Sequence, residues 1–249
     1  MTVRRALRPS CRWATPTARR PSILHAGAGA GGAALLALGC WAVARRGTCR
    51  ATPAESDETL PGDELVPGPA DCTTRAIDID ADPDRVWAWL VQVGTDRGGW
   101  YSHDRLERLA GVPVHSTGVL RDEWQHLAVG DRVCLAPPGW MGLEEGMALP
   151  VVDVVAGRHL VLRQCPPDSP WDGVWSFHLR PSGGGTRFVI RSRTARTSGP
   201  GRIVAVLTAP VGRLVTGVME RGMLRGIRRR AESGPVALEP PPRPVLSVG

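Results

Sequence analysis

Hydrophobic and polar residues alternate along residues 73–80. In this stretch, TTRAIDID, Ile77 and Ile79 point to one side of an extended chain, whereas Ala76 and Asp78 point to the other. A period of two is typical of a strand with one buried face. We therefore predict a strand here, with the isoleucines toward the core.

A helix is predicted directly after this strand. Asp82 stands at the N-cap position, and Pro83 stands at the first helical position, where no backbone N–H is needed. We expect the Asp82 carboxylate to accept N–H groups of the first turn. Apolar residues then recur at three- and four-residue steps, at Val86, Trp89, Leu90 and Val93. This spacing predicts one buried helix face.

Five further segments suggest strands separated by glycine- and proline-containing turns. They are residues 131–135, 147–155, 159–164, 174–180 and 187–193. This succession predicts an antiparallel meander.

The alternation also assigns side chains to the two faces of the last strands. Trp175, Phe177 and Leu179 share the predicted interior side, which leaves His178 exposed on the other side. The last strand carries three arginines on the side away from the core, and we expect them to form a solvated face. They are Arg187, Arg191 and Arg193.

A long helix is predicted over residues 201–232, where apolar residues recur at helical spacing. Pro210 is expected to kink this helix or to begin a second segment, because proline removes a backbone hydrogen bond. The arginines near its end suit the negative end of the helix dipole. Attraction to anionic lipid headgroups is the alternative explanation. These arginines are Arg225, Arg228, Arg229 and Arg230.

Several of these segments resemble the START-like helix-grip superfamily, also called SRPBCC. The resemblance covers residues 71–232 and includes the turn and helix PDRVWAWL at 83–90. A bacterial subgroup without a defined catalytic motif shares four further stretches: LPGDELVP at 60–67, RGGWYS at 97–102, EWQ at 123–125 and VMERGMLRGIRRRAE at 218–232. The resemblance implies an α+β fold in which a curved antiparallel sheet wraps around a long C-terminal helix.

In this superfamily the sheet and the helix enclose an elongated cavity. The resemblance therefore implies a site for a hydrophobic or amphipathic small molecule, such as a lipid, a quinone or a polyketide-like compound, with no cofactor. The predicted ligand-binding residues are Trp89, Trp100, Tyr101, Trp175, Phe177, Leu207, Val211 and Leu214.

The loop at residues 94–104, GTDRGGWYSHD, carries the candidate polar chemistry. If the protein is an enzyme of the cyclase or dehydratase type, Tyr101, His103 and Asp104 are the candidates for proton transfer. In the alternative interpretation the glycine pair only makes a turn, Trp100 closes the cavity mouth, and Asp104 caps a short helix at 105–110.

The net charge of +7 is concentrated near the N-terminus. Residues 1–50 contain nine arginines and no acidic residue, whereas the remainder has 22 arginines against 24 acidic residues. We therefore expect no nucleic-acid partner.

Residues 22–44 contain no charged side chain and are long enough to cross a bilayer. We predict a single-pass membrane protein with an extracytoplasmic domain, or, if Ala42-Val43-Ala44 marks a cleavage site, a secreted one. A disordered basic tail is a further alternative. The expected division is a basic tail at 1–21, the apolar segment at 22–44, a linker at 45–70, the START-like domain at 71–232 and a proline-rich disordered tail at 233–249.

The six cysteines include no C-x-x-C pair, and the histidines lack ligand spacing, so we predict no metal site. In an exported domain one disulfide, such as Cys72 with Cys165, is conceivable. A third class of function is a protein-interaction module using the proline-rich tail or the arginine-rich helix end. Its partner cannot be named from the sequence.

Overall fold

A computed structural model describes residues 49–112, 114–164, 172–196, 202–234 and 238–239. The strands are β1 (Asp71–Ile79), β2 (Leu120–Arg121), β3 (Arg132–Ala136), β4 (Met147–Val155), β5 (His159–Gln164), β6 (Gly173–Ser182), β7 (Gly185–Thr194) and β8 (Leu238–Glu239). The α-helices are α1 (Pro53–Asp57), α2 (Pro83–Leu90), α3 (Asp104–Leu109) and α4 (Arg202–Glu232). Short 3₁₀ turns occur at Asp63–Leu65, Asp122–Trp124 and Trp140–Gly142.

Six strands form one antiparallel sheet in the order β1-β7-β6-β5-β4-β3. The predicted meander is confirmed, because β3 to β7 follow one another as neighbours and β1 pairs with β7. β2 and β8 form a separate parallel pair. The predicted α+β class is therefore confirmed, with α2 and α4 packed on one face of the sheet.

Helix α2 buries the predicted residues Val86, Trp89 and Leu90 in the core. Asp82 occupies the N-cap position, but its side chain makes no capping hydrogen bond, contrary to our expectation. Pro83 favours helix initiation here, because its φ is already helical.

Helix α4 is continuous over 31 residues and contains Pro210, so no second segment begins there. It packs against α2 and β1 through buried residues in its C-terminal half, including Met223, Leu224 and Ile227. None of the helices in the described ranges is long and apolar enough to span a membrane. The predicted membrane segment at 22–44 lies outside those ranges.

The face of the sheet opposite α4, which we call the outer face, is covered by residues 49–67. Composition led us to expect a linker here. Instead, Leu60 packs with Ala76 and Val189, and Val66 packs with Val161 and Val174. We call residues 49–67 the clasp.

The clasp overturns two expectations about the outer face. His178 is only 3% exposed, so its predicted exposure is wrong. Arg191 is 1% exposed, and the side chains of Arg187 and Arg193 are largely covered as well, so these arginines do not form a solvated face. Strand alternation correctly placed all four side chains outward but could not show that another segment covers them.

The Arg191 guanidinium is satisfied entirely by groups around the clasp. Its Nη1 donates to the Asp63 carboxylate at 2.6 Å and to the Glu58 carbonyl at 2.7 Å. Its Nη2 donates to the carbonyls of Glu55 and Ser56, and its Nε donates to the Thr74 hydroxyl at 3.1 Å. These contacts use the full donor set of an arginine. The clasp is therefore joined to the sheet at a fixed register.

The pairing of the cysteines also differs from what we expected. Cys72 is free and exposed, so the disulfide between Cys72 and Cys165 is wrong. Cys134 is disulfide-bonded, and Cys49 is free and buried. Cys165 lies outside the described residues.

Candidate functional site

Aromatic side chains line the inner face of the sheet, beneath the helices. The Trp175 ring centroid lies 5.8 Å from that of Trp100 and 4.7 Å from that of Phe177. Phe177 in turn lies 6.4 Å from Phe188. All four side chains are buried. Three of them alternate along neighbouring strands, and Trp100 reaches them from the loop after α2.

A buried polar group borders this aromatic row. Glu220 of α4, 1% exposed, accepts hydrogen bonds from Ser192 Oγ at 2.7 Å and Trp175 Nε1 at 3.2 Å. It also forms an ion pair with Arg75 of β1. Burial raises the pKa of the Glu220 carboxyl, and the Arg75 charge opposes that rise. We call Arg75, Trp175, Ser192 and Glu220 the inner polar cluster.

Sequence reasoning missed three members of this cluster. Arg75 shares a strand face with Ile77 and Ile79, so the alternation already placed a charge on the inward side. Ser192 shares the face of Ile190 in the same way. An arginine at an inward position is a signal of a buried polar partner, because an unpaired charge there is costly.

Two buried indole N–H groups find no acceptor among the described residues. They belong to Trp89 and Trp100. Buried polar groups are nearly always hydrogen-bonded to protein or water, so each such donor calls for a partner. Of the two, the Trp100 N–H is the better indication of a binding site. The Trp100 ring lies beside Trp175, whose own N–H donates to Glu220.

The loop that carries Trp100 is held against α4 by close backbone contact. Tyr101 has a φ of 57°, in the left-handed region that non-glycine residues rarely adopt. A Cβ at Gly226 would lie 1.7 Å from the Tyr101 carbonyl oxygen, and a Cβ at Gly222 would lie 2.7 Å from Ser102 Cβ. Two glycines one helical turn apart therefore let α4 approach the loop.

Tyr101 is positioned as a buried structural anchor. Gln92 Nε2 donates to the Tyr101 hydroxyl at 2.8 Å, and the Trp89 ring meets the tyrosine edge-on at 5.8 Å. The Arg230 guanidinium stacks 4.5 Å from the Tyr101 ring centroid. Burial raises the pKa of the Tyr101 phenol well above its ordinary value. The hydroxyl therefore stays protonated at neutral pH.

A polar cleft of about 230 Å³ opens at the same end of α4. Asp104 accepts hydrogen bonds there from Ser116 Oγ at 2.8 Å and from the Ser116 N–H at 3.2 Å. The remaining lining residues are Tyr101, Ser102, Arg229 and Arg230. Asp104 is the first residue of α3 rather than its N-cap, which is His103.

His103 and Glu107 lie beside this cleft. Burial, together with the charges of Arg225 and Arg229, lowers the pKa of His103, so its imidazole is neutral at pH 7. Its Nε2 is buried with no partner in the described ranges. Glu107 accepts hydrogen bonds from Ser102 Oγ and the His103 N–H, and burial raises its carboxyl pKa.

The candidate residues from the sequence thus fall into two neighbouring groups. Trp100, Trp175 and Phe177 lie in the inner aromatic row, whereas His103 and Asp104 lie at the cleft. Tyr101 follows Trp100 in the loop at residues 94–104, and the Trp89 ring packs against it. Leu214 is half-buried on α4. The side chains of Leu207 and Val211 lie outside the described part of the structure.

The described residues contain no cluster of three or more His, Cys, Asp or Glu side chains arranged to hold a metal ion.

No family model and no curated protein matches this sequence. Three solved structures illustrate the similarity in fold. Protein SSP2350 from Staphylococcus saprophyticus is 11% identical with a TM-score of 0.38, over 69% of this chain and 98% of that chain. Protein CV1439 from Chromobacterium violaceum is 14% identical with a TM-score of 0.37, over 66% and 98%. Protein Ms6760 from Mycobacterium smegmatis is 13% identical with a TM-score of 0.38, over 64% and 88%. These similarities are too distant to assign a family.

Proposed function

We propose that this chain binds a hydrophobic or amphipathic small molecule between the sheet and α4, as a domain tethered to a membrane by residues 22–44. The unpartnered Trp100 N–H carries this proposal. It is a buried donor beside the inner polar cluster, where a ligand oxygen is a suitable acceptor.

The chemistry of the lining supports an amphipathic ligand. Trp175, Phe177 and Phe188 offer apolar surface, whereas Arg75 and Glu220 offer charge at one end of the row. Binding sites of this kind combine a mostly apolar wall with a few polar groups that orient the ligand. Lipids, quinones and polyketide-like compounds all have such an apolar body with a polar end.

Mass spectrometry tests the proposal on a fragment that keeps the whole clasp, residues 45–249. Native and denaturing spectra are compared for a small molecule that leaves only when the domain unfolds. We expect a defined amphipathic compound. A folded domain that is reproducibly empty, and whose melting temperature does not respond to lipids or quinones, would contradict the proposal.

Trp100→Phe sharpens the test, because it removes the N–H while keeping a ring in place. We expect ligand affinity to fall about fivefold to tenfold, the usual effect of one lost hydrogen bond. Trp124→Phe is the matched control, because Trp124 is a half-exposed tryptophan stacked with Arg121. Equal ligand affinities of the two variants would show that the Trp100 N–H does not bind the ligand.

The alternative function is proton-transfer catalysis of the cyclase or dehydratase type at the polar cleft. The observation that favours it is His103, a neutral imidazole with an unpartnered Nε2 beside Asp104. A neutral histidine at pH 7 can act as a general base. Tyr101 fits this chemistry poorly, because its hydroxyl is buried and bonded to Gln92.

His103→Gln tests the catalytic alternative once a bound compound is identified as a candidate substrate. We expect turnover to fall at least about a hundredfold if His103 transfers the proton, while the melting temperature and ligand affinity stay near those of the native protein. Unchanged turnover in a folded variant would reject His103 as the base and leave the binding proposal intact.

A further inference from the structure

Two arginine side chains converge beside a buried glycine of α4. A Cβ at Gly217 would lie 2.9 Å from Nη2 of Arg75 and 3.3 Å from Nη1 of Arg221. The two guanidinium groups therefore approach the same point, one from β1 and one from α4. Gly217 has no side chain to occupy that point. We call Arg75 and Arg221 the arginine pair.

The charge of the arginine pair is balanced only in part. Glu220 forms an ion pair with Arg75. In the part of the chain that the structure describes, Arg221 donates to the Gly217 carbonyl at 3.2 Å but meets no carboxylate in an ion pair or hydrogen bond. The Nε of Arg75 is buried and has no acceptor among the same residues. The arginine pair therefore keeps an excess positive charge and unused N–H donors.

The like charges lie close enough to disturb one another. Burial lowers the pKa of Arg221, and the charges of Arg75 and Arg225 lower it further, despite the opposing effects of Cys49 and Glu220. Repulsion between like charges destabilises the free protein. An anion beside both guanidinium groups relieves this repulsion and accepts their hydrogen bonds, which carboxylates and phosphates do with good geometry.

A single carboxylate connects the arginine pair to the inner aromatic row. One oxygen of Glu220 accepts the Trp175 Nε1 hydrogen bond at 3.2 Å, and its other oxygen meets Arg75. Trp175 in turn packs against Phe177 of the row. The arginine pair therefore lies at the polar end of the proposed ligand site, where the charged end of an amphipathic molecule meets it.

We propose that the ligand bound between the sheet and α4 carries an acidic group, a carboxylate or a phosphate ester, which Arg75 and Arg221 hold beside Gly217. This inference rests on the proposed function and deepens it, because it names the chemical class of the same ligand. With Glu220 ionised, an anionic ligand group balances the two guanidinium charges. A neutral lipid or a quinone leaves Arg221 without an acidic partner.

Three amphiphiles with the same carbon chain test for the acidic group: decanoate, decyl phosphate and decanol. The full chain is held in phosphatidylcholine nanodiscs, and peptide mass spectrometry follows the modification of Arg221 by phenylglyoxal. We expect the two acids to protect Arg221 at about tenfold lower concentration than decanol, because charge-assisted hydrogen bonds are the stronger kind. Arg158, exposed at the turn between β4 and β5, is the internal control and should stay equally reactive throughout.

The outcomes distinguish the acidic group from binding itself. Protection of Arg221 by decanol at the same concentration as decanoate would overturn the acidic group and leave amphipathic binding intact. Inorganic phosphate that protects as well as decyl phosphate would overturn the proposal in favour of a site for a free anion. Protection by none of these compounds, in a domain that mass spectrometry finds empty, would overturn this inference together with the proposed function.

Matched substitutions at Gly217 test the arginine pair without any ligand. Gly217→Asp brings a carboxylate to the point where the two guanidinium groups converge, whereas Gly217→Asn brings a side chain of the same shape without the charge. We expect the melting temperature of Gly217→Asp to be higher by about 2–4 °C, and the difference to disappear when Arg221→Gln is added to both. Equal melting temperatures of Gly217→Asp and Gly217→Asn would overturn the proposal, because the arginine pair would then not favour an anion.

Discussion

The two faces of the sheet are both buried, but different interactions cover them. The inner face meets α2 and α4 through aromatic and aliphatic side chains, with one cluster of polar groups. The outer face meets the clasp largely through arginines that donate to clasp carbonyls and carboxylates.

The two faces of the sheet should differ in how well they tolerate amino-acid substitutions. Apolar packing is non-directional and can adjust to modest substitutions. A buried arginine needs every donor satisfied, because an uncompensated charge in the interior is costly. We therefore expect the outer face to be the less tolerant of single substitutions, although it looks like an ordinary polar strand face in the sequence.

Breaking the buried ion pair of the outer face should have the largest effect. Arg191→Leu leaves the Asp63 carboxylate buried without its main partner, and we expect a loss of about 3–5 kcal/mol in the free energy of unfolding, measured with urea. Arg180→Leu is the control: its pair with Glu58 is more exposed, at 41% and 31% of the two side chains, and should cost less than about 1 kcal/mol. Comparable losses in the two variants would show that burial of an ion pair between the sheet and the clasp does not set its contribution to stability.

The close approach of Gly226 in α4 to the Tyr101 backbone should be nearly as sensitive to substitution. Gly226→Ala places a methyl group against the Tyr101 carbonyl, and overpacking of this kind costs about 3 kcal/mol. Gly212→Ala, in the same helix but with no atom within 4 Å of the added Cβ, should instead stabilise by about 1 kcal/mol. Thermal unfolding of both variants checks this, and a neutral Gly226→Ala would mean that the loop can move away from α4.

Lowering the pH should reduce the free energy of unfolding through His178, which lies on the outer face. Burial beneath the clasp lowers the pKa of His178 to about 3, from an ordinary value of 6.5. Between these values the unfolded chain binds the proton that the folded chain rejects, so stability falls as the pH falls. Between pH 7 and pH 5 this loss amounts to about 2 kcal/mol.

His178→Gln removes the titrating group and should flatten the pH dependence of the unfolding free energy by that amount. The groups that act on His178 are His159, Arg180 and Arg191, which lower its pKa, and Asp63, which raises it. Urea unfolding at both pH values, for the native protein and the variant, measures the effect. Parallel pH profiles would show that His178 is accessible to protons in the folded state.

The smallest effect on stability is expected at Arg230, whose guanidinium stacks on the Tyr101 ring. Arg230→Gln removes the stacking on Tyr101 and the hydrogen bond from Arg230 Nε to the Thr117 carbonyl, at 2.8 Å. We expect a loss of about 1 kcal/mol. Arg228→Gln removes an exposed ion pair to Glu232 in the same turn and should cost about 0.5 kcal/mol or less. Equal losses would mean that the stacking adds nothing to stability.

Much of the candidate site could be predicted from the sequence, because its residues lie on elements with clear periodicity. Trp175 and Phe177 were placed inward by alternation, and Trp89 was placed on the buried helix face. Glu220 was not recognised, because a glutamate near the end of an arginine-rich helix looks solvated. Only the pairing of β1 with β7 and the packing of α4 bring Arg75, Ser192 and Glu220 together.

The sequence by itself determined the six strands of the main sheet, helices α2 and α4, their order and the face to which each strand side chain points, because these follow from local periodicity, proline and glycine. It could not decide what covers each face, since a polar strand face has the same pattern whether water or another segment lies above it. The tertiary structure decided that the clasp buries Arg191 and His178 and that two glycines let α4 meet Tyr101. Those contacts join residues far apart in the chain, and their energies depend on burial and on partners that local patterns do not encode.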